Sequence, residues 1–184
     1  MFRFAHAIVA LLAATPLLAQ RLRDGQYKVS YSPAPCGIET KHYLDLSAPT
    51  AEATFNPIAE AQAQVWEVST SATDSTWREL RSTTYPGISL GYPTAKDGTR
   101  VRGIDETSDD FYWFNLVSSG KPGYYYVYPY TSRDFVLNGD TRTEPGNRFG
   151  YFRGNVTDDK FPLQMLPLYF APVTTASVDA SANA

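Results

Sequence analysis

Cysteine is almost absent from this sequence: Cys36 stands alone among 184 residues, so no internal disulfide can staple the fold. A chain of this length can do without one, because about 150 folded residues bury enough core on their own, whereas far smaller secreted domains depend on disulfides. Histidine is nearly as scarce, with two in the sequence, and no His/Cys set has the spacing of a metal site. A Gly-rich phosphate loop after a strand and a Gly-x-Ser-x-Gly elbow are missing as well. Basic charge is short, with 16 Lys+Arg against 19 Asp+Glu. Without a basic stripe to neutralise phosphates, nucleic acid is excluded as a partner. No cofactor and no metal is expected.

The only long apolar run lies at the N-terminus. Arg3 precedes an apolar stretch from Ala7 to Ala14, and Leu17 and Ala19 stand ahead of a cleavage point. This is the layout of a secretory signal peptide over residues 1–19, since about twenty apolar residues would be needed to cross a bilayer. Its removal leaves fifteen Lys+Arg against nineteen Asp+Glu, a net charge of −4. The mature protein is therefore expected to be secreted, extracellular and free of membrane spans.

What the sequence does have is aromatics: thirteen Tyr, ten Phe and three Trp, residues suited to a β core. From Asp24 to Phe170 no helical apolar periodicity persists beyond a few residues. Short alternating strands broken by Gly, Pro, Asn, Asp and Ser recur instead. They fall into three weak repeats. Each repeat opens on an aromatic-rich strand, at Gly25–Val29, Ser75–Leu80 and Tyr124–Tyr128. Each continues with an apolar-x-apolar triplet, Leu44-Asp45-Leu46, Ile88-Ser89-Leu90 and Phe135-Val136-Leu137, and ends on a large apolar residue, Trp66, Phe114 or Leu166. Leu46, Leu90 and Leu137 are 44 and 47 residues apart, and Trp66, Phe114 and Leu166 are 48 and 52 apart. Such a repeat closes into a six-stranded barrel with a hairpin cap, an all-β fold of the β-trefoil kind, over residues 24–170. Residues 171–184, small and polar without period, are expected to form a disordered tail.

Gln64-x-Trp66 and Leu44-Asp45-Leu46-Ser47 resemble the repeat of the ricin-type lectin family. The same anchors occur in two groups of fungal β-trefoil protease inhibitors, the mycocypins and the mushroom serine-protease inhibitors. All three groups imply the same fold but different functions. The opening Asp24–Val29 with the segment Tyr31-Ser-Pro33-Ala-Pro35-Cys36-Gly37, and Asn56-Pro57 running to Val68, resemble mycocypins. Tyr92–Val101 and Phe161–Phe170 resemble the mushroom inhibitors. The inhibitor resemblance implies loops at 30–42 and 54–63, carrying Pro33, Pro35, Cys36, Gly37, Asn56 and Pro57, that would enter an extracellular cysteine or serine peptidase. Proline there lowers the entropy lost on docking. The loop Ser69–Ser75 has no Asn matching the serine-protease contact of that group. The lectin resemblance implies a single degenerate sugar site, with Asp45 as hydrogen-bond acceptor and Phe55 as platform. Ala63 replaces the expected Asn, and Ser89 and Val136 replace the Asp in the other triplets. Peptidase inhibition is the preferred expectation, glycan binding the alternative, and a secreted effector or structural module with neither activity the third.

Catalysis is not expected. Cys36 and His42 lie six residues apart, but proximity in the chain does not make a nucleophile pair. Adjacent carboxylates such as Asp109-Asp110 and Asp158-Asp159 would point to opposite faces of a strand and cannot flank one bond. Asn155-Val-Thr157 is a glycosylation sequon, expected on an exposed loop. In the cluster Tyr124–Tyr130, strand alternation is expected to turn Tyr125 and Tyr130 outward.

Overall fold

The computed structural model describes residues 21–31, 41–139, 148–154 and 166–173. The expected signal peptide, Pro33, Pro35, Cys36, Gly37, Asn155, Asp158-Asp159 and the tail beyond 173 lie outside the described residues. Twelve strands are present among these residues: β1 (Gly25–Tyr31), β2 (His42–Asp45), β3 (Thr54–Asn56), β4 (Trp66–Thr70), β5 (Trp77–Ser82), β6 (Ile88–Gly91), β7 (Arg102–Asp105), β8 (Phe114–Ser118), β9 (Tyr124–Pro129), β10 (Phe135–Gly139), β11 (Arg148–Gly154) and β12 (Leu168–Pro172). The only helical element among them is a single 3-10 turn at Glu60–Gln62.

All strand pairings are antiparallel, and six strands close on themselves. β1 pairs with β4, β4 with β5, β5 with β8, β8 with β9, β9 with β12, and β12 returns to β1. Closure removes the free sheet edges that would otherwise invite pairing with another chain. The other six strands form three hairpins, β2–β3, β6–β7 and β10–β11. They meet in a cycle of backbone hydrogen bonds: Ala53 N donates to Val101 O (2.9 Å), Val101 N to Gly150 O (2.9 Å) and Gly150 N to Ala53 O (2.8 Å). Gly150 lacks the Cβ that would press on Val101 Cγ2 at 2.9 Å, which lets these backbones approach.

Alternation along the strands fills the interior. Val29, Leu80 and Val127 on the barrel, Leu44, Leu90 and Leu137 in the hairpins, and Trp66, Phe114 and Leu168 at the starts of β4, β8 and β12 are all fully buried. These positions adjust the expected register twice. In the first hairpin Leu44, opposite Phe55, matches Leu90 opposite Gly103 and Leu137 opposite Phe152. Leu46 is buried too, but beyond the end of β2. In the last set Leu168 opens β12 opposite Tyr125, while Leu166 lies ahead of the strand and is only partly buried. β12 also runs to Pro172, two residues into the segment expected to be tail.

The tyrosine cluster corrects a second expectation. In β9 it is Tyr125, Val127 and Pro129 that face inward, leaving Tyr124, Tyr126 and Tyr128 on the outer face. Tyr125 meets Phe170 edge-on at 5.7 Å inside the barrel. The phase is set by Val127, whose burial commits every second residue to the same face.

Candidate functional site

The pair expected to bind sugar does not form a site. Leu44 stands directly opposite Phe55, so Asp45, the next residue along, points to the other face of the hairpin. Phe55 is fully buried and lies edge-on to Tyr31 at 4.9 Å, which leaves no ring face for a ligand. Asp45 is half-buried and accepts from Asn56 Nδ2 at 3.3 Å. Burial pushes its carboxyl above the usual carboxylate range, although hydrogen bonds from Asn56 and Leu46 pull the other way. Residues 54–56, expected within a loop, form β3, with Asn56 opposite Tyr43. Pro57 is exposed and begins the stretch that leads into the 3-10 turn. His42 is buried against the Tyr31 ring at 5.6 Å. Asp110 is held by the Arg102 fork (2.9 and 2.6 Å), while Asp109 is exposed, so the two carboxylates have separate surroundings.

Gln64-x-Trp66 is a clamp. Gln64 Oε1 accepts from Leu46 N (3.0 Å), Gln64 Nε2 donates to Ser82 Oγ (2.8 Å), and Trp66 Nε1 donates to Leu44 O (3.1 Å). Two side chains of β4 and the residues before it thereby fasten the first hairpin to the barrel. The motif's polar atoms are used up in doing so.

The arrangement best suited to a ligand lies instead on β5–β8. Leu80 faces the core, so Glu79 and Arg81 project from the other face of β5. Arg81 stands opposite Ser89 of β6, and Ser89 opposite Ile104 of β7. Glu79, only 8% exposed, accepts from Ser89 Oγ (2.5 Å) and from Arg81 Nη2 (3.1 and 3.2 Å). A buried carboxylate with charge-assisted partners is held in one geometry. Asp105 lies at the same opening. Its carboxylate accepts from Thr107 Oγ1 (2.7 Å) and Thr107 N (2.9 Å), which hold it below the usual carboxylate range. Together with Glu106, Tyr112 and Trp113 these residues line a cavity of about 220 Å³.

Tyr112 and Trp113 form its aromatic wall, their rings 5.0 Å apart. The aromatic surface continues outward through Trp77, 6.4 Å from Trp113, and Tyr130, 4.9 Å from Trp77. Phe111 beside it is 38% exposed and extends the aromatic surface. Tyr92 holds this wall from beneath. Its backbone bridges Phe111 in both directions (2.8 and 3.0 Å), and its hydroxyl donates to Trp113 O (2.8 Å) while accepting from Tyr130 N (3.0 Å). Burial pushes the Tyr92 phenol well above its ordinary value. The result is a cavity with fixed acceptors, one guanidinium donor and an aromatic face, suited to a ligand bearing many hydroxyls. Sequence reasoning passed over Glu79 and Arg81 because single charges on a strand read as solvent-facing. The run Phe111-Tyr112-Trp113-Phe114 did carry a signal, since one strand end cannot bury four consecutive aromatics.

Among the described residues no three His, Cys, Asp or Glu side chains cluster as a metal site would require. No protein-family model matches the chain, and no curated protein sequence matches it either. Solved structures do share its fold. The crystal structure of the Rhizoctonia solani agglutinin superposes with a TM-score of 0.62 at 15% identity, covering 84% of this chain and 99% of that one. A salivary protein from Culex of the cysteine- and tryptophan-rich (CWRC) family superposes with a TM-score of 0.57, also at 15% identity, covering 85% of this chain and 99% of its own. The chain is an all-β barrel similar in fold to both.

Proposed function

We propose that the mature chain is a secreted, non-catalytic β-trefoil that binds a glycan in the cavity between Glu79 and Trp113. The trefoil reading is supported by the order of pairing: the first and fourth strands of each successive set of four enter the barrel, and the second and third form a hairpin. The cycle of hydrogen bonds through Ala53, Val101 and Gly150 supplies the matching pseudo-threefold point.

One observation carries the glycan reading. Glu79 is buried yet lines an open cavity, oriented by Ser89 and Arg81 and faced by Tyr112 and Trp113. Sugar hydroxyls would donate to carboxylate oxygens and accept from the guanidinium, while the apolar face of the ring packs on the aromatic wall. The fold likeness to an agglutinin agrees with a binding role. The test is a glycan array followed by titration of the best ligand. Glu79→Gln, which keeps the shape and removes the charge, should weaken binding about 10–100-fold, the equivalent of one charge-assisted hydrogen bond of about 1.5–3 kcal/mol.

Peptidase inhibition attaches to other residues, of which Asn56, at the end of β3, and Pro57, which opens the largely exposed stretch 57–62, are described. Lys28 Nζ donates to Glu60 O (2.5 Å) and ties that stretch back towards β1, a poor arrangement for a protruding inhibitory loop. Inhibition of papain or trypsin at micromolar protein would nevertheless displace the glycan reading.

A further inference from the structure

A second cavity, of about 230 Å³, lies where β5 and β8 pair beside residues 21 and 22. Arg21, Arg78 and Arg133 all line it, with Ser75, Thr76 and Asn115, and no carboxylate does. Three arginines lining one small cavity stand out in a chain whose net charge is negative. None of the three makes an ion pair among the described residues, whereas Arg81, Arg100 and Arg102 are each paired with an acid.

The inner wall adds an independent observation. Arg78 is 7% exposed and lies opposite Phe114, so its guanidinium is built into the fold. Its Nη1 donates to Ser75 O (2.7 Å) and Trp77 O (3.0 Å), which fixes the plane of the group. Its Nε remains buried with no hydrogen-bond partner, and so does Oδ1 of the neighbouring Asn115. Buried polar groups in native folds are nearly always satisfied, so the unpaired Arg78 Nε–H beside this cavity calls for an acceptor, which an oxyanion supplies, whereas the unpaired Asn115 Oδ1 needs a donor and is not served by such a ligand. Arg21 and Arg133 are exposed and reach the same cavity from the solvent side.

We infer that this cavity is an oxyanion site, in which Arg78 supplies a fixed inner donor and Arg133 and Arg21 supply outer positive charge. The ligand group is a carboxylate or a sulfate ester, both of which match the planar donor fork of arginine. This site is separate from the Glu79–Trp113 cavity and does not depend on the glycan reading.

The test is a titration of the full chain with inorganic sulfate, and separately with acetate, at constant ionic strength set by NaCl. The readout is the NMR resonance of the Arg78 Nε–H group, which burial protects from exchange. The expected result is a saturable shift with at least one of the two anions at millimolar concentration. Response to sulfate alone identifies a sulfate ester as the natural group, and response to acetate identifies a carboxylate. Arg133→Gln, at an exposed position, should leave the thermal melt unchanged and weaken binding at least about tenfold, while Arg133→Lys should keep the charge and most of the affinity. No saturable shift with either anion, or equal affinity in wild type and Arg133→Gln, would overturn the inference.

Discussion

Replacing Gln64 with Leu tests how the first hairpin is held to the barrel. The leucine fills a similar volume but supplies neither acceptor nor donor. Leu46 N, buried and bonded to Gln64 Oε1 at 3.0 Å, would lose its partner without gaining access to water. An orphaned buried donor costs about 1–3 kcal/mol, and the lost bond to Ser82 Oγ adds about 0.5–1.5 kcal/mol. Ser82 suffers less because its hydroxyl still accepts from Tyr85 N at 3.0 Å. A total near 3 kcal/mol is a large fraction of the stability of a single domain, which is about 5–15 kcal/mol. In urea, with a slope of about 2 kcal/mol per molar, the midpoint should fall by about 1.5 M. Ser82→Ala keeps the bond to Leu46 but takes the acceptor from both Gln64 Nε2 and Tyr85 N, so it should also destabilise, by about 1–3 kcal/mol. If Gln64→Leu unfolds at the wild-type midpoint, the clamp does not hold the hairpin as described.

Gly103→Ala should destabilise by about 3 kcal/mol, because a Cβ there would collide with the backbone carbonyl of Pro49 and press on Ile88; an unchanged melting temperature would contradict this. The Tyr92 phenol is raised by burial above its ordinary value of 10.0, so the folded chain holds that proton more tightly than the unfolded chain. Stability from this group is therefore complete below pH 10 and declines as pH rises above it, and Tyr92→Phe should flatten the alkaline loss of stability measured by urea unfolding between about pH 9 and about pH 11. Asp45 has a carboxyl raised by burial, so its contribution is greatest in acid and is lost as pH climbs through the range just above its ordinary value. Asp45→Asn should accordingly unfold no earlier than wild type at neutral pH and leave glycan affinity unchanged; a loss of affinity would restore the site placed there by resemblance.

The sequence-level features that were legible are those repeated along the chain. The aromatic-rich openings fall in β1, β5 and β9, and the triplets fall in or beside β2, β6 and β10, because alternation at a half-buried strand leaves a pattern of period two. What went astray was phase. Leu44-Asp45-Leu46 offers two leucines that both become buried, and nothing local chooses between them; the choice comes from Phe55 across the hairpin. The same ambiguity turned Tyr125 outward on paper, since five tyrosines in seven residues look alike until Val127 is known to face the core. The candidate cavity was harder still to see. Glu79, Ser89, Asp105 and Trp113 come from four separate segments, and only the pairing of β5 with β6 and β8, and of β6 with β7, brings them together. Phe55 failed as a platform for the opposite reason: an aromatic residue at the right spacing is more often core than ligand contact.

The most direct test of the account is a titration of wild type, Trp113→Ala and Glu79→Gln against the strongest ligand on a broad glycan array. The account predicts saturable binding by wild type and a loss of about 10–100-fold in each variant, with circular dichroism and melting showing all three folded. A chain that binds no glycan, or folded variants that bind as tightly as wild type, would contradict it.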